Sequence, residues 1–343
     1  MRSIEAAKMP AFNAFMGRIE VSGSEKLDIP DAALNIGGHG QGFIIREKLD
    51  WDPVANEDGT LGGEIVIGDD VYVFAVADSS GIATLVASKN ITAPDGYSTT
   101  ESRRVGGFHW GRVRALSQAY DSGATLDQKI IPNSVWDLRH RPKCDPSGMV
   151  EVVPGATWMD IYLASEDGQN WPDTVPLSRY DATPLSGSEG YALWYDYTRL
   201  ARNADKRLPT AQEWHAAAYG VPKGATDAGG RVNTGTHSDY GFECTSCLNL
   251  DQPSGNLYQT MAELFDRGDA DQSGNEDQWH EGDLNAGKDD SEDHGQWNGG
   301  DLRVFRAGGA WLHTEEAGAR CVHRLGPWVV SIGTGLRCAC DSL

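Results

Sequence analysis

Apolar positions along this chain come in short runs cut by glycine, serine and aspartate, not in long helical periods. Ile65–Ile67 and Val71–Val76 are strand-like, and Gly68-Asp69-Asp70 between them is a hairpin signal. A third run, Ile82 to Val86, follows Ser79-Ser80-Gly81. Earlier, Phe43-Ile44-Ile45 follows the glycine-rich segment Gly37 to Gly42. No helix pattern follows that segment, so it reads as a glycine turn and not as a phosphate-binding loop. Residues 1–100 therefore predict a small β-rich domain. Residues 101–147 carry Gly106 to Gly111 and Pro132 to Trp136. That aromatic, Pro-marked stretch predicts an ordered connector packed against both halves.

Helical periodicity enters only downstream. Ser188 can cap a helix from about Glu189 to Asn203, with Leu193, Tyr197 and Leu200 at three- and four-residue spacing. After Arg207-Leu208-Pro209, Thr210 and Glu213 have the spacing of a capping box. Trp214, Ala217 and Ala218 then form the buried face of a second helix, which Gly220 ends. Residues 266–300 are an acidic insertion. Within it Asp269, Asp271 and Ser273 set oxygens at alternate positions before Gly274, like the start of a calcium loop. The twelfth position from Asp269 is His280 and not the bidentate Glu of an EF-hand. Two readings stay open: a looser calcium site, or a solvated acidic loop.

Composition narrows the function. The 343 residues are 39% hydrophobic, enough for two cores, and 41 Gly with 15 Pro favour turns and short strands. A net charge of −21 excludes a general nucleic-acid binder. No apolar run is long enough to span a membrane. The N-terminus lacks the pattern of a secretory signal peptide, so synthesis in a cytoplasm, or assembly into a virion there, is the expectation. Six cysteines fit no disulfide framework, and a reducing compartment is the default. Cys244-Thr245-Ser246-Cys247 with Cys338 and Cys340 is either a zinc site of unusual spacing or a set of buried thiols.

Four ordered segments carry a family resemblance. Gly148-Met149-Val150 through Val153-Pro154-Gly155-Ala156-Thr157-Trp158-Met159 resembles the opening strand of the formylglycine-generating enzyme (sulfatase-modifying factor) family. Arg207-Leu208-Pro209-Thr210 with Glu213-Trp214 and Ala217-Ala218 resembles its most recognisable helix, Arg303 to Trp311 its arginine–glycine–glycine–tryptophan strand, and Gly335-Leu336-Arg337-Cys338 its closing strand. The resemblance implies an α+β fold: a C-type-lectin-like domain of the formylglycine-generating-enzyme type over 148–343, preceded by the β-rich domain. The enzymes of that family hold copper with two cysteines five residues apart. Cys321 occupies one such place, but the other is Glu316. One thiol cannot replace a two-cysteine site for a soft metal.

The chain better resembles another branch with this fold, the variable proteins diversified by retroelements. That resemblance implies a non-enzymatic ligand- or receptor-binding protein of a phage or virus tail fibre, many copies on a larger assembly, and a protein or cell-surface ligand. The variable region would be about 302–343, in three clusters: Leu312, His313 and Thr314; His323, Leu325 and Gly326 around Arg324; and Val329, Val330, Ser331, Ile332, Gly333 and Thr334. Trp311, Arg324 and the Gly335-Leu336-Arg337 strand would hold them. For Leu312, Val329, Val330 and Ile332 ordinary core packing is the competing reading. Pro327-Trp328 and Gly333 bracket the last run and favour a loop. A divergent copper oxidase using Cys321 with Cys338 or Cys340, and a purely structural tail protein, are the alternatives.

Overall fold

The computed structural model describes residues 12–37, 42–190, 192–266, 279–281, 296–298 and 302–343. The calcium-loop residues Asp269, Asp271 and Ser273 lie outside the described residues. The chain forms two compact units. One comprises residues 1–113, 127–151 and 342–343; the other comprises 114–126 and 152–341.

The first unit is built on strands β1 (Asp70–Val76), β2 (Thr84–Ser88), β3 (Ser102–Val113) and β4 (Asp127–Ile130), in the order β4-β3-β1-β2. Residues 65–67 form no strand, and the hairpin expected at Gly68 is absent. Antiparallel partners of β1 come instead from β2 and β3, with Phe74 opposite Val86 and Val71 opposite Phe108. The long strand β3 lies in the stretch read as a connector. Gly106 and Gly107 are needed there because an added Cβ would fall 2.8 Å from the carbonyl oxygens of Trp136 and Val71 respectively. Two further three-stranded sheets (Asn13–Phe15, Ala32–Asn35, Gly42–Ile45 and Glu20–Ser22, Lys26–Ile29, Lys48–Trp51) complete the unit. Leu27, Leu34, Val71, Val73, Phe108 and Val135 share its apolar core.

The second unit is mostly β with two helices. Strand β5 (Thr157–Asp160) pairs antiparallel with β10 (Ala339–Asp341), so the beginning and end of the unit close on each other. Between them lie helices α1 (Trp194–Asn203) and α2 (Ala211–Ala217), and strands β6 (Tyr258–Asp266), β7 (Leu302–Gly308), β8 (Gly318–Leu325) and β9 (Thr334–Gly335), ordered β8-β7-β6-β9. Helix α1 starts at Trp194, not near Glu189. Ser186 caps a short 3-10 turn over Gly187–Glu189, and Gly190 at φ 81° then breaks the helical path. The capping box at α2 is as the spacing requires: the Glu213 amide donates to Thr210 Oγ1 at 3.2 Å, and the Thr210 amide to the Glu213 carboxylate at 2.8 Å. Trp214, Ala217 and Ala218 are fully buried.

One polar knot fixes the interior. Arg337 is completely buried and donates to the carbonyls of Asp160, Ile161, Asp251 and Gln252 and to Gln259 Oε1. Gln259 Oε1 also accepts from Trp214 Nε1 at 2.7 Å, and its Nε2 donates to Pro253 O at 2.8 Å. Arg337 and Gln259 together thus tie the closing segment to β5, α2 and β6.

Candidate functional site

The candidate site is assembled on β7, β8 and the two turns that flank β8. The first turn, 309–317, is held by its main chain. Trp311 N–H donates to Asn256 O, His313 N–H to Ala310 O, and Ala317 N–H to His313 O. Gly308 and Gly309 adopt φ of 96° and 85°, and an added Cβ would lie 2.4 Å from Pro253 O and 2.7 Å from Ala317 Cα, so only glycine fits there. The second turn, 326–333, is held in the same way. Gly187 N–H donates to Ser331 O, Trp194 N–H to Pro327 O and Tyr258 N–H to Gly333 O. A Cβ on Gly187 would sit 2.6 Å from the Ser331 backbone, so that close approach also needs glycine.

Three clusters separated in sequence meet around Tyr258 and Arg306. The Arg306 guanidinium lies 4.2 Å from the centre of the Tyr258 ring, a cation–π contact. It donates from Nη1 to Thr334 Oγ1 at 2.7 Å and from Nε to His323 Nδ1 at 3.3 Å. His313 and His323 pack against the Tyr258 ring at centroid distances of 5.1 and 5.7 Å. Burial and the neighbouring Cys321 push the Tyr258 phenol up to about 12, so it stays neutral. Burial, then Arg306, lowers His323 below 6.5.

A cleft of about 660 Å³ opens beside this cluster. Phe265, Arg303, Phe305, Val322, His323, Arg324, Leu325, Gly326 and Val329 line it. Phe265 and Phe305 stack at 4.2 Å on its floor. Exposed around the same strand and turns are Leu312 at 68%, Val322 at 43% and Ile332 at 56%, fractions far above those of core residues.

Known proteins share this fold. Residues 31–137 match the family model described as Mtd second domain. Solved structures of the Major Tropism Determinant M1 and U1 variants align with TM-scores of 0.73 each, at 24% and 23% identity, over 100% of this chain and 85% of theirs. The chain has the Mtd fold. A tail fiber receptor-binding protein of Bordetella phage BPP-1 is 29% identical over 296 residues, 81% of this chain and 72% of that protein. The mostly-β, two-helix architecture is consistent with the C-type-lectin-like fold expected from the sequence.

On this Mtd-like scaffold the sequence-derived site residues separate by exposure. Leu312, Thr314, His323 and Ile332 are exposed, and His313, Leu325, Val329, Val330 and Ser331 are half-buried. Val330 packs against the apolar core around α1. Gly326, Gly333 and Thr334 are buried; Thr334 accepts from Arg306 through Oγ1 and from the Tyr197 hydroxyl through its carbonyl, and so supports the site from below. Arg324, expected to hold the clusters, is exposed on β8 and lines the cleft, while Arg306 does the holding. Tyr258 and Phe265 were not singled out by sequence reasoning, because only the pairing of β6 with β7 and of β7 with β8 brings them into place.

The thiols are scattered. No disulfide joins any of the six cysteines. Cys321 lies half-buried, 3.9 Å from the Tyr258 hydroxyl. Cys338 is buried beside Asp160 and Lys206, and Cys340 sits against Asp205 O. Burial drives Cys244 up to about 12, which keeps it a neutral thiol. Among the described residues no group of three or more His, Cys, Asp or Glu side chains is arranged to hold a metal ion. Nor, among the described residues, is any helix long and apolar enough to cross a membrane.

Proposed function

We propose that this chain is a non-enzymatic receptor-binding protein of a phage tail fibre, and that it engages a cell-surface ligand through the exposed residues of β8 and its two flanking turns. The carrying observation is the division of labour at the site: exposed Leu312, Val322, His323, Arg324 and Ile332 stand on turns held largely by main-chain hydrogen bonds. Such turns keep their shape when side chains change, so new contacts need no new backbone and little ordering on binding. The similarity to the Bordetella phage BPP-1 tail fiber receptor-binding protein supports the same reading. We further read the second unit as a lectin scaffold of the formylglycine-enzyme type, its surface diversified by a retroelement, carried in many copies so that avidity exceeds single-site affinity.

Two measurements test this. Particles carrying Leu312→Ser, Val322→Ser and Ile332→Ser together should lose adsorption to host cells while the purified protein keeps its unfolding midpoint; unchanged adsorption would sink the receptor assignment. The coding DNA should be accompanied by a near-copy of its 3′ segment differing at adenines, beside a reverse-transcriptase gene. Without that repeat the diversification part fails and the binding part stands on the adsorption result alone.

A further inference from the structure

We infer that β8 is a docking edge: an extended strand of the receptor adds to it in β-sheet register, with an acidic side chain opposite Arg324 and an apolar one opposite Val322. This rests on the receptor-binding reading and names the chemistry of the partner at the same site.

Strand β8 ends its sheet, paired with β7 on one side; among the described residues no strand pairs with the other. In an antiparallel ladder alternate residues direct their N–H and C=O to opposite neighbours, so an edge strand offers half its backbone groups to a newcomer. β8 is eight residues long, an edge of a length that proteins generally blunt. Its bulge lies at the far end, between the Ala307 and Gly308 pairings, and leaves Val322 to Leu325 in regular register with β7.

Side-chain chemistry then selects the partner. In the regular part of the ladder, alternation puts Val322 and Arg324 on one face of β8 and His323 and Leu325 on the other. The chain as a whole carries −21, yet Arg303, Arg306, Arg320 and Arg324 all sit on this strand pair. The charge is uneven along it. Arg320 shares a cleft of about 490 Å³ with Lys223, Glu315 and Glu316, so that end is already mixed in sign. Arg324 instead stands with Arg303 around the Phe265–Phe305 stack, and among the described residues no acidic side chain lines that cleft. An acidic residue entering opposite Arg324 finds an unlike charge directly across the ladder, and an apolar residue two positions away finds Val322. Main-chain bonds supply affinity that does not depend on side-chain identity, and flanking side chains supply selectivity. A diversified surface profits from this, because its variants keep the backbone contribution when individual contacts are lost.

The test uses the full chain and fluorescein-labelled peptides alternating Thr with Glu and Val, read by anisotropy. The parent peptide should bind. Of two isomers N-methylated on alternate amides, one should bind about tenfold or more weakly and the other like the parent, because only one set of amides faces β8. Arg324→Glu should weaken the parent peptide by a similar factor and favour a peptide with Lys in place of Glu. Absence of binding by the parent, equal binding of both N-methylated isomers, or equal binding of the Lys peptide to the native chain would overturn the inference. So would self-association of the chain abolished by Val322→Pro, which would assign the edge to a second copy. Adsorption loss in the serine variants without peptide binding sinks the edge-pairing idea and leaves the receptor reading; peptide binding with normal adsorption sinks the receptor reading, and with it the identity of the strand donor.

Discussion

Two of the buried arginines in the second unit do different work. Arg337 has no exposed surface and spends its donors on four main-chain carbonyls and Gln259. Arg337→Met fills part of the volume but strands those acceptors in an apolar interior, which costs at least about 3 kcal/mol of stability; the denaturant midpoint should fall accordingly. Arg306 instead lies under the candidate site. Its Nε can only donate, so His323 Nδ1 accepts and the imidazole is neutral with its proton on Nε2. Burial and Arg306 lower His323 from 6.5 in the folded chain. The native state then binds fewer protons than the unfolded state over the window below that value. Stability from this group is fully present above pH 6.5 and is lost as pH falls toward the lowered folded value. Titration by NMR should place the His323 midpoint below 6.5, and His323→Gln should remove this part of the acid sensitivity. A midpoint above 6.5 would contradict the Arg306 contact.

At the scale of elements, local signals were readable and long-range ones were not. The α2 capping box was legible because all its partners lie within four residues: Thr210, Glu213 and the turn between them. Burial alone would raise the Glu213 carboxyl. The Arg207 guanidinium at 2.7 Å, with Thr210 and Thr157, outweighs that and holds it at about 2. The folded pKa is below the ordinary 4.5, so this contribution is present above that value and is lost as pH falls from 4.5 toward 2. Thr210→Ala should cost about 1 kcal/mol by loss of the cap, measured by urea unfolding at pH 7. Glu213→Gln should also flatten the acid limb. The start of α1 was misplaced because Ser188 has the side chain of an N-cap, while the left-handed backbone at Gly190 delays the helix to Trp194. The expected hairpin at Gly68 failed because β1 finds its partners in β2 and β3, and residues 65–67 are left outside the sheet. The site was half legible for a related reason. His313 and His323 could be listed from the last forty residues. Their convergence on Tyr258 depends on β6, which is far away in sequence.

For the molecule as a whole, the atoms that fix the fold differ from those of the proposed contact surface, and this is what the proposed function requires. The scaffold is fixed by the buried Arg337–Gln259–Trp214 knot and by glycines where no Cβ fits. The proposed function places recognition on side chains whose removal uncovers little core. At Gly335 an added Cβ would lie 2.7 Å from Leu257 Cδ1 and 2.8 Å from Leu185 O. Gly335→Ala therefore forces the backbone of β9 away from its neighbours, and overpacking of this kind costs about 1–3 kcal/mol. Leu312→Ser and Ile332→Ser, both at exposed positions, should each stay within about 0.5 kcal/mol of the native chain. Thermal unfolding of the three variants side by side checks this. A large loss from either serine variant would mean that the turn residues pack into the fold, and that the 312–314 and 329–334 clusters are core and not contact surface. Near-native unfolding of both, with Gly335→Ala clearly shifted, would establish that the surface can be rewritten without cost to the scaffold beneath it.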